Sequence, residues 1–108
     1  MSSARGATSI ASVRYFILFY DYVENMAERR APFREEHLGL AREAAERGEL
    51  LLGGALTDPL DTGVLVWRTA DAAPIERFVA ADPYVRSGLV RSHRIRPWNV
   101  VVGSAAAS

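Results

Sequence analysis

The sequence contains no cysteine. That one absence excludes disulfides, thiolate metal sites and a cysteine nucleophile together, and it points to reducing cytoplasm as the working compartment. Net charge is missing too: thirteen basic and thirteen acidic residues cancel, so no overall field draws the chain to nucleic acid or to an anionic membrane, and neither is expected as a partner. No apolar stretch approaches the roughly 18 residues of a membrane span. Phosphate-cradling glycine loops, G-x-G-x-x-G turns and nucleophile elbows are absent. The two histidines, His37 and His93, stand apart from any cluster of acids or histidines at ligand spacing, so no metal is expected. No cofactor is expected either.

What is present describes a single globular domain: 108 residues, 49% hydrophobic and 24% charged. The first twelve residues, MSSARGATSIAS, are small and polar without a signal-peptide core, and GSAAAS closes the chain without an anchor. Flexible tails are therefore expected over residues 1–12 and 104–108, around a domain spanning residues 13–103.

Apolar runs rich in aromatic and β-branched residues predict strands from Val13 to Tyr20 and from Thr62 to Trp67. A third lies from Leu50 to Leu56, where Gly53 and Gly54 imply a bulge or a close approach, and a fourth from Val90 to Val102, where Pro97 implies an edge. The first helix is predicted from Pro32 to Arg47, with proline in its first turn, Glu35 and Glu36 at its positive end, and Gly48 as its stop. The second runs from about Ala72 to Ala81, capped by Asp71. The order is strand, helix, strand, strand, helix, strand, an α+β, ferredoxin-like βαββαβ pattern with an antiparallel sheet.

Two helices cover only one face of such a sheet. Yet the first strand is apolar on both: Val13, Tyr15, Ile17 and Phe19 alternate with Phe16, Leu18 and Tyr20. Because large exposed apolar patches are rare on monomers, the expected cover is a second copy, sheet against sheet in a two-fold homodimer.

Counting by threes and fours from Phe33 gives His37, Leu40, Ala41 and Ala44, so His37 points along the apolar stripe toward the sheet. It is either a hydrogen-bonded core histidine or a proton carrier, and the second role needs an acid to fix its tautomer. Asp82 in ADPYV is the candidate acid. Pro83 disfavours helical geometry at the residue before it, so Asp82 ends the second helix and caps a short turn through Tyr84 and Val85. Capping alone explains it, but one carboxylate has acceptor sites for both roles. Arg34 lies one turn before His37, placed either to bind an anionic or enolate oxygen or to pair with Glu35, Glu36 or Asp21. Tyr84 and His93, with Tyr15, Trp67 and Trp98, are candidates for a pocket lining, with plain core as the alternative for the aromatic residues.

FREEHLGL, GELLLGGAL, FVAADPYVRSGLV and RPWNVVVG, in that order, resemble the YCII-related (YciI-like) family over about Val13 to Gly103. The resemblance implies a ferredoxin-like fold dimerising into a dimeric α/β barrel. It also implies a histidine and aspartate pair, falling on His37 in REEHL and Asp82 in ADPYV, with the arginine before that histidine at Arg34. One branch of the family resembles dehydrochlorinases of chlorinated hydroxyquinols. Where the family often shows glycine then proline after the second strand, this chain has Gly54 and Ala55, which alters the pocket rim.

The expected function is a small, cofactor-free enzyme in which His37 and Asp82 move a proton on a hydroxylated or enolisable ring compound, as a dehydrochlorinase or isomerase would, with Arg34, Tyr84 and His93 binding it. The alternative is a non-catalytic module for small-ligand binding or assembly. A quinol-oxidising or haem-degrading monooxygenase is a third reading, on barrel fold alone.

Overall fold

The computed structural model describes residues 14–104. The expected strand start at Val13, the tail over residues 1–12 and all but the first residue of the tail over 104–108 lie outside the described residues. Along the chain come β1 (Arg14–Tyr22), α1 (Met26–Arg29), a 3-10 turn (Ala31–Phe33), α2 (Arg34–Glu46), β2 (Leu50–Leu56), β3 (Thr62–Thr69), α3 (Ala73–Ala81), α4 (Pro83–Arg86) and β4 (Val90–Trp98). The strands form one four-stranded sheet in the order β2-β3-β1-β4, with every neighbouring pair antiparallel. This is the α+β, ferredoxin-like arrangement that the order of elements predicts.

Local chemistry sets the ends of these elements. Gly48 takes φ +80 behind α2. Its N–H donates to the Ala45 carbonyl at 2.9 Å and that of Glu49 to the Ala44 carbonyl at 3.1 Å, the paired closure that a left-handed glycine permits. Pro32 opens the 3-10 turn instead of α2 itself, which starts at Arg34. Proline's fixed φ and missing N–H suit the first turn of either helix type, so sequence does not separate them. Ahead of α3, the Asp71 carboxylate accepts the Ala73 N–H at 2.9 Å, although Ala72 is the residue flanking the helix.

Two expectations about strands are corrected. The irregularity in β2 falls between Leu50 and Leu52, not at the glycines. And β4 stops at Trp98, not Val102: its pairing ends with Trp98 opposite Tyr15, so Val101 and Val102, 78% and 83% exposed, have strand propensity but no strand to pair with.

Alternation along the strands divides the sheet into two faces. Phe16, Leu18, Tyr20 and Tyr22 of β1, with Leu65 and Trp67 of β3, pack under the helices against Ile75, Phe78 and Val79 of α3 and Ala44 of α2. Trp67 meets Phe78 edge-on, ring centres 5.1 Å apart. Gly63 sits opposite Tyr20, and a Cβ there would run into the Tyr22 hydroxyl, so glycine is what lets the Tyr22 ring lie across β3. The other face carries Tyr15, Ile17, Phe19, Val64 and Val66, each half-buried, with Leu52 at 71% and Leu56 at 53% exposure. Every large side chain in the buried core belongs to the helix-covered side or to the loops that close it.

Candidate active site

Asp82 is where three elements converge. Pro83 forces it out of the helix, to φ −70 and ψ 121, and so turns its carboxylate back over the start of α4. There Oδ1 accepts the Tyr84 N–H at 3.0 Å, the expected cap. The same oxygen lies 2.9 Å from His37 Nδ1 on α2, and Oδ2 accepts the Tyr20 hydroxyl of β1 at 2.7 Å. Asp82 is 0% exposed, so a buried carboxylate is matched by three donors around its two oxygens.

A carboxylate only accepts, so His37 presents a proton at Nδ1 and keeps Nε2 as the ring nitrogen free for chemistry. The ring is held flat as well as hydrogen-bonded: it stacks on Tyr84 with centres 3.8 Å apart and 6° between planes, and meets the edge of Phe78 at 6.3 Å. His37 remains 9% exposed on the wall of a cleft of about 310 Å³ between α2, β2 and Tyr84. Asp82 lies behind the histidine and does not line the cleft. A carboxylate fixing one nitrogen of an imidazole that lines a cavity is an arrangement general acid–base chemistry uses.

Of the other residues expected at the site, Arg34 and Tyr84 line this cleft. Arg34 forms no ion pair with Glu35, Glu36 or Asp21; its guanidinium acts on the Tyr84 phenol instead. His93 is not brought to the cleft within one chain. It stands exposed on β4, opposite Tyr20, the far edge of the sheet from β2, where the cleft lies. Sequence gives a strand's residues but not its place in the sheet, which is why His93 read as a neighbour. Among the polar lining residues three went unforeseen: Tyr22, Arg30 and Arg42. The signal for Arg42 was there, since Arg34, Leu38, Ala41, Arg42 and Ala45 make a stripe at helical spacing beside that of His37.

The buried tyrosines respond to this environment. Burial first, then the charge of Asp82 and the hydrogen bond to it, raise the Tyr20 phenol far above its ordinary value. Burial, then Tyr84 and Asp82, raise that of Tyr22, with Arg30 and Arg34 opposing. Tyr84 is raised by burial, with the same two arginines pulling back. A phenol with a raised folded pKa keeps its proton in the folded chain above pH ~10, where the unfolded chain loses it. The stability it contributes is therefore full below that pH and is lost as pH rises beyond it, at about 1.4 kcal/mol per pH unit for each such phenol. Urea unfolding measured at increasing pH above ~10 should show this decline, with a shallower slope in Tyr20→Phe. Equal slopes in the two proteins would rule the explanation out.

Among the described residues no group of three or more His, Cys, Asp or Glu side chains gathers as metal ligands, and no helix is long and apolar enough to cross a membrane.

The chain's structural neighbours share this ferredoxin-like α+β fold. Among these is the 5-chloro-2-hydroxyhydroquinone dehydrochlorinase of Burkholderia phenoliruptrix AC1100, solved in complex with 2,5-dihydroxybenzoquinone. It is 17% identical, with TM-score 0.67 over 79% of this chain and 93% of that one. The chain belongs to the YCII-related domain family, which matches it over residues 13–99. A NIPSNAP family protein from Agrobacterium tumefaciens C58 is 21% identical, with TM-score 0.56 over 82% of this chain and 93% of that one. PA3566 from Pseudomonas aeruginosa is 13% identical, with TM-score 0.55 over 83% and 95%. At these identities the likeness is one of fold. Among curated proteins none matches the chain.

Proposed function

We propose that the chain is a small enzyme that moves a proton on a hydroxylated or enolisable ring compound, with dehydrohalogenation or isomerisation as the reaction class. The observation that carries this is the His37 ring, held at the cleft wall with Nδ1 against buried Asp82. Its Nε2 would take a proton from a ring hydroxyl or carbon as general base. That proton then returns to another atom of the ring in an isomerisation, or departs with the halide in an elimination. Asp82 fixes the tautomer and steadies the imidazolium without itself being protonated. Arg34, one turn before His37 on α2 and also lining the cleft, would hold the oxygen on which negative charge develops. A neighbour of the same fold that is a dehydrochlorinase, solved with a dihydroxybenzoquinone, supports this substrate class.

The second reading, a non-catalytic ligand-binding module, has one specific support: the Tyr84 N–H uses Asp82 as an ordinary helix cap. Nitrogen-15 NMR of the His37 ring in the wild type and in Asp82→Asn decides whether the pair is coupled. The wild type should show the Nδ1–H tautomer and the variant a changed ring signal; identical spectra would leave Asp82 a cap. Turnover in a panel of chlorinated and hydroxylated quinols should then vanish in His37→Ala, and unchanged turnover would end the enzyme reading.

The same proposal has two copies meeting through the bare sheet face. Leu52, Leu56, Val64, Val66, Ile17 and Phe19 lie side by side on one face of strands β2, β3 and β1, with Leu52 and Leu56 exposed, an apolar surface of the kind a second copy covers.

A further inference from the structure

The thirteen cations and thirteen anions of this chain cancel, yet the cleft does not share that balance. Arg30, Arg34 and Arg42 line it, and no aspartate or glutamate does. Nor is their charge neutralised from nearby: among the described residues the ion pairs are His37 with Asp82 and Arg47 with Glu49, and none of the three arginines takes part. The sequence has no lysine, so every one of these cations is a guanidinium, charged at any working pH and shaped as a flat fork that matches two oxygens at once. Three arginines lining one cavity with no carboxylate among its lining residues give it a positive character that an entering anion would offset.

Shape narrows the anion further. The space exists because the residues bordering it are small: Ala41 and Ala45 on α2 and Gly53 on β2. Gly53 lies opposite Leu65, on the helix-covered face, and a Cβ added there would meet only Leu65 and Leu50 side chains at 3.6 to 3.8 Å, ordinary contact. A side chain is therefore tolerated by the backbone but would fill the cleft. The remaining walls combine flat rings, Tyr22 and the stacked pair of His37 and Tyr84, with the aliphatic side chains of Leu38, Leu50 and Leu65. About 310 Å³ is at the small end of ligand cavities, enough for one ring and its substituents.

We propose that the cleft selects a flat single-ring anion, an aromatic or quinonoid ring bearing a carboxylate or an acidic ring hydroxyl, with Arg30 and Arg42 acting beside Arg34 as the residues that read its charge. This rests on the reading of the cleft as the ligand site and goes beyond it in fixing the ligand's charge and assigning Arg30 and Arg42 a role.

The test is calorimetric titration at neutral pH with 2,5-dihydroxybenzoate, with hydroquinone as the uncharged ring, and with acetate and inorganic phosphate as anions without a ring. The charged ring should bind saturably, roughly tenfold or more tighter than each of the others. Its binding should weaken as salt rises toward about 0.5 M. Arg30→Gln and Arg42→Gln should each lose roughly tenfold, and Gly53→Val, which removes no charge, should abolish binding while native amide NMR spectra confirm that all three variants are folded. Equal binding of hydroquinone overturns the charge selection, and equal binding of acetate or phosphate overturns the ring. Unchanged affinity in the arginine variants, or no saturable binding at all, overturns the site. His37→Ala separates this proposal from the catalytic one. Turnover that survives His37→Ala sinks proton transfer alone, whereas lost discrimination between charged and neutral rings sinks anion selection whatever the turnover.

Discussion

Asp82→Ala should destabilise the fold by about 3–5 kcal/mol, the summed cost of two orphaned donors and a lost helix cap. The estimate follows from what the alanine leaves behind. The Tyr20 hydroxyl, 2.7 Å from Oδ2, and the His37 Nδ1, 2.9 Å from Oδ1, would lose this hydrogen bond in a region where Tyr20 is fully buried; the Tyr84 N–H would lose its cap. An orphaned buried donor costs about 1–3 kcal/mol and a lost cap about 1. Against a typical total of about 5–15 kcal/mol, that is a large share of the stability. Asp82→Asn keeps an oxygen for the Tyr84 N–H and should cost visibly less. Urea denaturation of both variants, with Tyr20→Phe and the Tyr20→Phe, Asp82→Ala double variant completing a cycle, measures the coupling. A cost under about 1 kcal/mol for alanine, or additive effects of Tyr20→Phe and Asp82→Ala, would mean that the network does not bear on stability.

The second large effect is expected at the bare sheet face. Val66 has Ile17 of β1 on one side and Leu52 of β2 on the other, so a lysine there stands among apolar side chains. The charges sharing this face are the arginines at 68, 94 and 96, with Asp21 at one end of β1 the lone acid among the paired positions. In a single chain the lysine reaches water. In the proposed sheet-to-sheet dimer it would be buried on a face whose paired positions carry arginines and the single acid Asp21, and unpaired burial of that kind costs several kcal/mol per ion. Val66→Lys should therefore raise the dimer dissociation constant by roughly a hundredfold or more and leave a folded monomer. Light scattering across a dilution series reads this directly. A wild type that is already monomeric at high concentration, or a variant that stays dimeric, removes sheet-to-sheet assembly from consideration.

Much of the fold was legible because periodicity is a local signal. The two-sided apolar alternation from Tyr15 to Tyr20 announced both a packed face and a bare one, and the structure has both. The dipeptide Asp82-Pro83 announced a helix end, and φ and ψ at Asp82 agree. The convergence of His37 with Asp82, 45 residues apart, followed from a helical stripe on one side and a family resemblance on the other, and the 2.9 Å separation agrees with both. What escaped was relational. The sheet order put His93 on the far edge, and residues 99–102 lack a neighbouring strand. Tyr20 was read only as one of an alternating set; nothing in its neighbours along the chain marks it as the third arm of the Asp82 site. Arg42 sat on a helical stripe with Arg34, but Arg30, ahead of that helix, holds no motif, and only the folded chain brings it to the same cavity.

The bonding of Asp82 has a further consequence, in how the molecule breathes. A four-residue helix such as α4 is far too short to persist alone, since its nucleation is not repaid by propagation. Here its first amide is tied through one carboxylate to the central strand β1 and to the longest helix, α2. Local fluctuations that would fray α4 must also release a buried tyrosine hydroxyl and an imidazole, so the segment opens with the sheet and not before it. The histidine at the cleft wall thereby inherits the slow clock of the middle of the sheet, and a ligand meets it already aligned.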